Sequence, residues 1–312
     1  MEAATRLIFA FHAPATSATL VGGLKPFAEA AMRDAKGALD IEIVTDGRAG
    51  GLLTDQVDLI ESGKADAAFV IPGFTPTRFP DNFVFGIPGI FRNITESSLT
   101  FSRAIGAGVL RGYENFFVIG AFCTEPFTLH SGKKLTTLAD LKGMKLRAAN
   151  MADEIMLKQL GADARVVPGD KILEQIEAGT IDGTTMHAGP LVDLGVSRVT
   201  SYDYFLRLGC APLTILMTRQ RFAALPTPVQ DAIQKFSGDW FASRYASHNA
   251  AHNDTLLATM RADPKRTMTE PPQAEIDAAA KAFQPVIDQW LARDPRNQRT
   301  LDAVKAELAK LR

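Results

Sequence analysis

Two stretches of the chain nearly repeat each other: IESGKADAAFV at Ile60–Val70 and IEAGTIDGTTM at Ile176–Met186. Each reads Ile-Glu, a small residue, Gly, a variable residue, an aliphatic residue, Asp, then Ala or Gly. The Gly is a helix stop, because Gly enters the left-handed C′ conformation without a Cβ penalty. A short strand follows it in each copy. The repeated phrase therefore reads as a helix, a stop and a strand, written twice.

The text around the two copies shares this grammar. Around the first, RLIFAFH reads as a buried strand, and GGLKPFAEAAMRDA as an amphipathic helix with Leu24, Phe27, Ala28 and Met32 near helical spacing. LDIEIVT alternates as a strand, and DGRAGG is a turn. LLTDQVDLIESG is a helix stopped at Gly63, and KADAAFV is the next strand. This βαβαβ opening predicts a largely parallel sheet. Around the second copy, MADEIMLKQLG is a helix stopped at Gly161, ADARVVP a strand, GDKILEQIEAG a helix stopped at Gly179, and TIDGTTM a strand. Two similarly wound α/β lobes are expected, with ligand at the carboxyl edges of their strands. The last third is helical. Pro228–Met260 holds no Gly except Gly238 and reads as one long helix or two in line. PKRTMTEPP is a short strand and turn, and two further helices follow it. Long helices packed across both lobes would tie them together.

A length of 312 residues suits two domains, and a net charge of −1 with no Lys/Arg cluster gives no reason to expect nucleic acid or an anionic membrane as partner. A chain this long buries about three quarters of its unfolded surface, so it needs no metal or disulfide for stability. No apolar run approaches the length of a membrane span. The run Leu7–Phe11 is too short for a signal-peptide core and reads as the first strand. If the protein is exported, this is a mature form without its leader. Spacing alone leaves open whether Cys123 and Cys210 pair; free thiols are expected.

Several enzyme signatures are missing: the Gly-x-Ser-x-Gly elbow, the P-loop and the HExxH zinc pair. GAGVLRG (Gly106–Gly112) misses a dinucleotide loop by one residue in its last spacing, and it sits in text read as helical. His248 and His252 share a helix face but have only Asp254 as a further donor, short of the four a structural zinc takes, so no metal site is expected. His130, in LHSG, reads as a polar surface residue in a turn. Arg147 closes LKGMKLR, a short strand followed at once by helical text. A guanidinium there suits an anion, since a helix N-terminus offers free N–H groups and partial positive charge. Its planar fork holds a carboxylate through two parallel hydrogen bonds. The competing reading pairs it with a surface acid, Asp153 or Glu154.

Taken together, LADLKGMKLRAAN, LKQLGADARVVPGDKILEQIEAGTIDGT and LDIEIVTDGRAGGLLTDQVDLIESGKADAAFV resemble the solute-binding proteins of tripartite ATP-independent periplasmic (TRAP) transporters. GFTPTRFPDNFVFGIPGIF and LTILMTRQRFAALPTPVQDAI extend the likeness over roughly residues 6–290. The resemblance implies a two-lobed periplasmic-binding-protein-like α/β fold with a long helix spanning both lobes and ligand between them. Lobe I would be residues 1–123 plus 212–250, and lobe II 124–211 plus 251–312. It also implies a periplasmic receptor without cofactor. The receptor would bind a small organic acid and deliver it to TRAP permease subunits. A monomer is expected.

By the same resemblance Arg147 clamps the carboxylate, and His12, ending the first strand, lines the cleft. Many members read DGQENP where this chain reads DGTTMHAGP, so Met186 stands at a ligand-contacting Asn and His187 beside it. A further Arg found in acid-specific members is replaced by the neighbourhood of Phe127. These departures disfavour highly hydroxylated or multiply charged ligands. Phe74, Phe127 and Met186 would face a hydrocarbon or aromatic body, giving a hydrophobic or aromatic monocarboxylate or keto acid. His12 or His187 would add a pH dependence if either touched ligand. The alternatives are an α/β enzyme using one of these histidines, and a same-fold sensor receptor for a membrane kinase.

Overall fold

The computed structural model describes residues 3–312. In chain order the strands are β1 (Thr5–Ala10), β2 (Leu39–Val44), β3 (Ala67–Val70), β4 (Phe116–Cys123), β5 (Thr128–Ser131), β6 (Lys145–Ala148), β7 (Asp163–Val166), β8 (Gly183–Met186), β9 (Tyr202–Tyr204), β10 (Pro212–Thr218) and β11 (Thr267–Thr269). They form two sheets, ordered β2-β1-β3-β10-β4 and β11-β9-β5-β8-β6-β7. The α-helices are α1 (Lys25–Asp34), α2 (Gln56–Glu61), α3 (Ile94–Gly106), α4 (Met151–Gln159), α5 (Ile172–Glu177), α6 (Ala188–Asp193), α7 (Arg219–Ala223), α8 (Thr227–Lys235), α9 (Asp239–Ala262), α10 (Gln273–Arg293) and α11 (Pro295–Ala309).

The repeated phrase has a physical cause. Gly63 and Gly179 end α2 and α5 with φ of 73° and 69°, the left-handed stop. The Asp three residues later brackets one residue of the neighbouring parallel strand. Asp66 donates its N–H to the Ile8 carbonyl at 2.8 Å and accepts the Ile8 N–H on its carboxylate at 2.6 Å. Asp182 does the same to Lys145, at 2.7 and 2.8 Å. The carboxylate thus completes the ladder where β3 and β8 begin, and it pins the registers Phe9↔Ala67 and Leu146↔Gly183. Sites β1-β2-β3 and β6-β7-β8 are therefore matching parallel cores, each extended by antiparallel strands: β10 and β4 in one, β5 and β9 in the other.

Both faces of each sheet are covered. Phe9, Phe27, Phe122 and Phe241 fill one side of the first sheet, and Val70, Phe85, Phe101 and Leu216 the other. The second sheet packs Leu129, Leu146, Leu157 and Tyr204 on one side, and Ile172, Ile181 and Leu191 on the other. Two segments, 124–127 and 205–211, cross between the sheets side by side, joined by Thr124 N–H to Ala211 O at 3.0 Å and Phe127 N–H to Gly209 O at 3.1 Å. The long helix α9 spans both lobes: Phe241 and Tyr245 lie in the first core and Met260 in the second. It is separated from α8 at Gly238, whose N–H turns aside to the Ile119 carbonyl at 3.0 Å, so the helical text of 228–260 is two helices.

Three expectations need correction. Residues 251–312 do not all belong with the second sheet. Phe283 of α10 lies in the second core, but Trp290 stacks on Phe83 at 5.2 Å, and α11 packs Leu301, Val304 and Leu308 into the first-lobe cluster. The GAGVLRG text is not helical, because α3 ends at Gly106 and Gly108 and Gly112 take φ of 68° and 94°. A Cβ on Gly112 would lie 2.1 Å from the Arg78 carbonyl, so this glycine permits backbone packing. His130 is no surface residue: it lies in β5, fully buried, with Nδ1 2.6 Å from Asp203 Oδ1. Both cysteines are free and buried.

Candidate functional site

The predicted site residues lie at the carboxyl edges of the two parallel cores. Arg147, the third residue of β6, is 9% exposed and reaches across the edge of its sheet. Its Nε donates to the Val167 carbonyl, just past β7, at 2.9 Å. Its Nη1 donates to the Thr185 carbonyl of β8, also at 2.9 Å. Both flanking strands therefore strap the guanidinium in place. With Nε occupied, the side-on fork is blocked, and the end-on pair of Nη1 and Nη2 is the face left for a planar anion. Nη2 hydrogen-bonds to no described residue.

The acids nearby do not neutralise it. Asp153, at the third position of α4, accepts the Ala149 N–H at 3.1 Å and the Thr185 hydroxyl. Glu154 pairs with Lys158 instead. Burial pulls the Arg147 pKa down from its ordinary value, and the field of Asp153 opposes that only in part. Burial likewise raises Asp153. A guanidinium buried with carbonyls but no ion partner is a costly arrangement, and a carboxylate ligand would relieve it. The reading of Arg147 as half of a surface ion pair is not what the structure shows.

The other predicted residues divide between the two edges. On the second sheet, Phe127 leads into β5, Met186 ends β8 and His187 caps α6. Phe127 and Met186 are 7% and 5% exposed, and the rings of Phe127 and His187 are parallel within 2° with centroids 6.3 Å apart. The Met186 carbonyl is occupied by the Thr128 hydroxyl at 3.1 Å and lies 3.2 Å from His130 Nε2. On the first sheet, His12 follows β1 and Phe74 follows β3. Phe74 is 46% exposed, so it is not core packing. The His12 ring lies 3.1 Å from where a Cβ on Gly47 would stand, and Gly47 has φ of 67°, so this turn needs glycine twice over. Buried His12 Nδ1 has no hydrogen-bond partner among the described residues. The start of α4 meets the first lobe, where Ala152 Cβ would lie 3.8 Å from a Cβ on Gly86.

Sequence reasoning missed what holds Arg147. The straps are backbone carbonyls of Val167 and Thr185, which leave no residue-type signal. Asp153 was legible as an N-terminal helix acid after Asn150, whose side chain accepts its N–H at 3.0 Å. The buried array of His130, Asp203 and Arg266 left no spacing signal. Two cavities, of about 620 Å³ beside α3 and β4 and about 450 Å³ beside β7, lie elsewhere, and neither includes the Arg147 side chain.

Comparison with known proteins agrees with this architecture. Residues 10–294 match the family described as bacterial extracellular solute-binding protein, family 7. The C4-dicarboxylate-binding periplasmic protein DctP of Rhodobacter capsulatus is 24% identical over 294 residues, covering 92% of this chain and 86% of that protein. A TRAP solute-binding protein from a marine metagenome, specific for aromatic acid ligands and solved with 3-hydroxybenzoate, superposes with a TM-score of 0.87 at 20% identity over 99% of both chains. One from Desulfovibrio salexigens, in an open complex, has a TM-score of 0.91 at 21% identity over 99% of this chain and 97% of the other.

Proposed function

This chain belongs to family 7 of the bacterial extracellular solute-binding proteins, and from that premise we propose that it captures a flat, largely apolar organic monocarboxylate between its lobes and passes it to a TRAP permease. It is a periplasmic receptor and not an enzyme. Lobe I would be 1–123 with 212–250, and lobe II 124–211 with 251–286; the end of α10, which carries Trp290, and α11 count with lobe I.

The observation that carries the reading is the strapped guanidinium of Arg147 at the carboxyl edge of β6, which has no ion partner among the described residues. One such cation suits one carboxylate. Phe74, Phe127 and Met186 offer apolar surface for the body of the ligand, and the likeness to a receptor for aromatic acids supports a ring there. Lobe closure about the crossing segments would exclude water and strengthen the ion pair. The guanidinium keeps its charge across the physiological range, so capture by Arg147 needs only that the ligand's carboxyl be ionised.

The test is a thermal-shift screen against aliphatic, aromatic and keto monocarboxylates, because a ligand that binds only the folded state raises its melting point. An aromatic monocarboxylate is expected among the hits, and C4-dicarboxylates are not. A screen in which only dicarboxylates or sugar acids stabilise the protein would refute the reading.

A further inference from the structure

His187 combines three features. Its side chain does not cap α6 and hydrogen-bonds to no described residue, although the ring is only partly buried. Its ring lies parallel to that of Phe127, which fixes the plane in which its two nitrogens point. At the end of β8 beside it stands a buried polar chain. Arg266 Nη1 donates to both oxygens of Asp203, at 2.9 and 3.0 Å, and Asp203 Oδ1 accepts from His130 Nδ1 at 2.6 Å. His130 Nε2 lies 3.2 Å from the Met186 carbonyl and 3.0 Å from the Thr128 hydroxyl. Both His130 nitrogens are thus held by fixed partners.

This setting decides the charge of His187. Burial, with the positive field of His130 added, pushes its pKa down to about 4. At neutral pH the ring is therefore a neutral imidazole, with one N–H donor and one acceptor. It adds no charge for a second carboxylate, but it can give and take a hydrogen bond at once. Arg147 and Thr184 are register partners on β6 and β8, and His187 stands three residues beyond Thr184. At about 3.3 Å per residue that is about 10 Å along the edge, part of which the Arg147 side chain covers. The remaining span suits one substituted ring.

Resting on the monocarboxylate reading above, we propose that His187 determines specificity at the far end of the ligand, which is a ring-bearing monocarboxylate with a hydroxyl on the ring. The carboxylate binds the Arg147 fork, the ring lies against Phe127 and Met186, and the hydroxyl makes one hydrogen bond with the His187 edge, donating to its bare nitrogen or accepting from its N–H. A bare ring would leave that His187 nitrogen without its partner once the ligand covers it, and sites built for a hydroxyl reject analogues that lack it.

Calorimetry with benzoate, 3-hydroxybenzoate and 4-hydroxybenzoate tests this. One of the two hydroxy acids is expected to bind the native protein at least about tenfold more tightly than benzoate. Changing His187→Leu should bring that ratio to about one. His187→Gln, which keeps a donor and an acceptor, should retain part of the preference and serves if the leucine variant does not fold. The ratio should not change between about pH 5.5 and 8. A native ratio near one, a ratio that survives in His187→Leu, or a ratio that falls across that pH range would each overturn the proposal. If benzoate binding depends on Arg147 but shows no hydroxyl preference, only the role of His187 fails. If none of the three acids binds, the monocarboxylate reading fails and takes this inference with it.

Discussion

Replacing Arg147 by Met removes the guanidinium while keeping an unbranched apolar stem of similar reach. Two hydrogen bonds are lost, to Val167 O and Thr185 O, and so is the buried charge. For the ligand-free protein these changes oppose each other. Each lost bond, having a charged donor, costs about 1.5–3 kcal/mol, whereas removing an uncompensated buried cation returns several kcal/mol of desolvation. The ligand-free variant should therefore melt within a few degrees of the native protein. For binding the two effects do not cancel. Losing one partner of a desolvated, hydrogen-bonded charge pair costs about 2–5 kcal/mol, or about thirty- to several-thousand-fold in Kd. Arg147→Lys keeps the charge but neither the straps nor the fork, so it should lose most of that affinity too. The assay is calorimetry with the acid found in the screen, paired with melting curves of the ligand-free proteins. A Met variant that binds within about threefold of the native protein would show that Arg147 does not hold the carboxylate. A variant that binds weakly but also melts far lower would show that Arg147 is a structural residue and not a clamp.

Three further tests bear on the frame of the site. Glu125, in the first crossing segment, has its pKa pushed up to about 7 by burial, while accepting the Ile94 N–H at 3.1 Å. The folded state therefore keeps a proton that the unfolded chain gives up near its ordinary carboxyl pKa, so this group's contribution to stability falls as pH rises from about 4.5 to about 7. Glu125→Gln should raise stability by about 2–3 kcal/mol at pH 8 and change little at pH 4, read from denaturant curves at both values; a pH-independent difference would contradict this. Asp66→Asn and Asp182→Asn each weaken the same bracket on a neighbouring strand. Each should cost about 1–2 kcal/mol, lowering Tm by a few degrees, and a large cost in one lobe with none in the other would refute the equivalence. Cys123 and Cys210 are free, with thiols that burial pushes above their ordinary pKa, so neither should react quickly with a disulfide reagent until the protein is unfolded, when two should.

The architecture was legible because its signals are local. A Gly after a helical run, an Asp three residues on and a short apolar stretch specify a stop and a strand wherever they occur, and here they occur twice. The site was legible only in part. Arg147 could be singled out because a guanidinium at the end of a strand before a helix has few uses. Its burial could not, because that depends on carbonyls of β8 and of the residue after β7, which any side chains would supply. His130 was misplaced for the same reason: LHSG resembles a turn in isolation, and the Asp203 that buries it lies 73 residues away. The end of the chain misled in a third way. The text of α10 and α11 reads as helix without error, but nothing in it says that Trp290 reaches Phe83 or that α11 lies on α3, because partner choice among amphipathic helices is settled by shape.

The most direct measurement is a crystal structure of the protein with its acid bound. The carboxylate oxygens should lie about 2.7–2.9 Å from Nη1 and Nη2 of Arg147, with the rest of the ligand enclosed by the two lobes. A carboxylate held elsewhere, with the Arg147 fork facing water, would contradict the account.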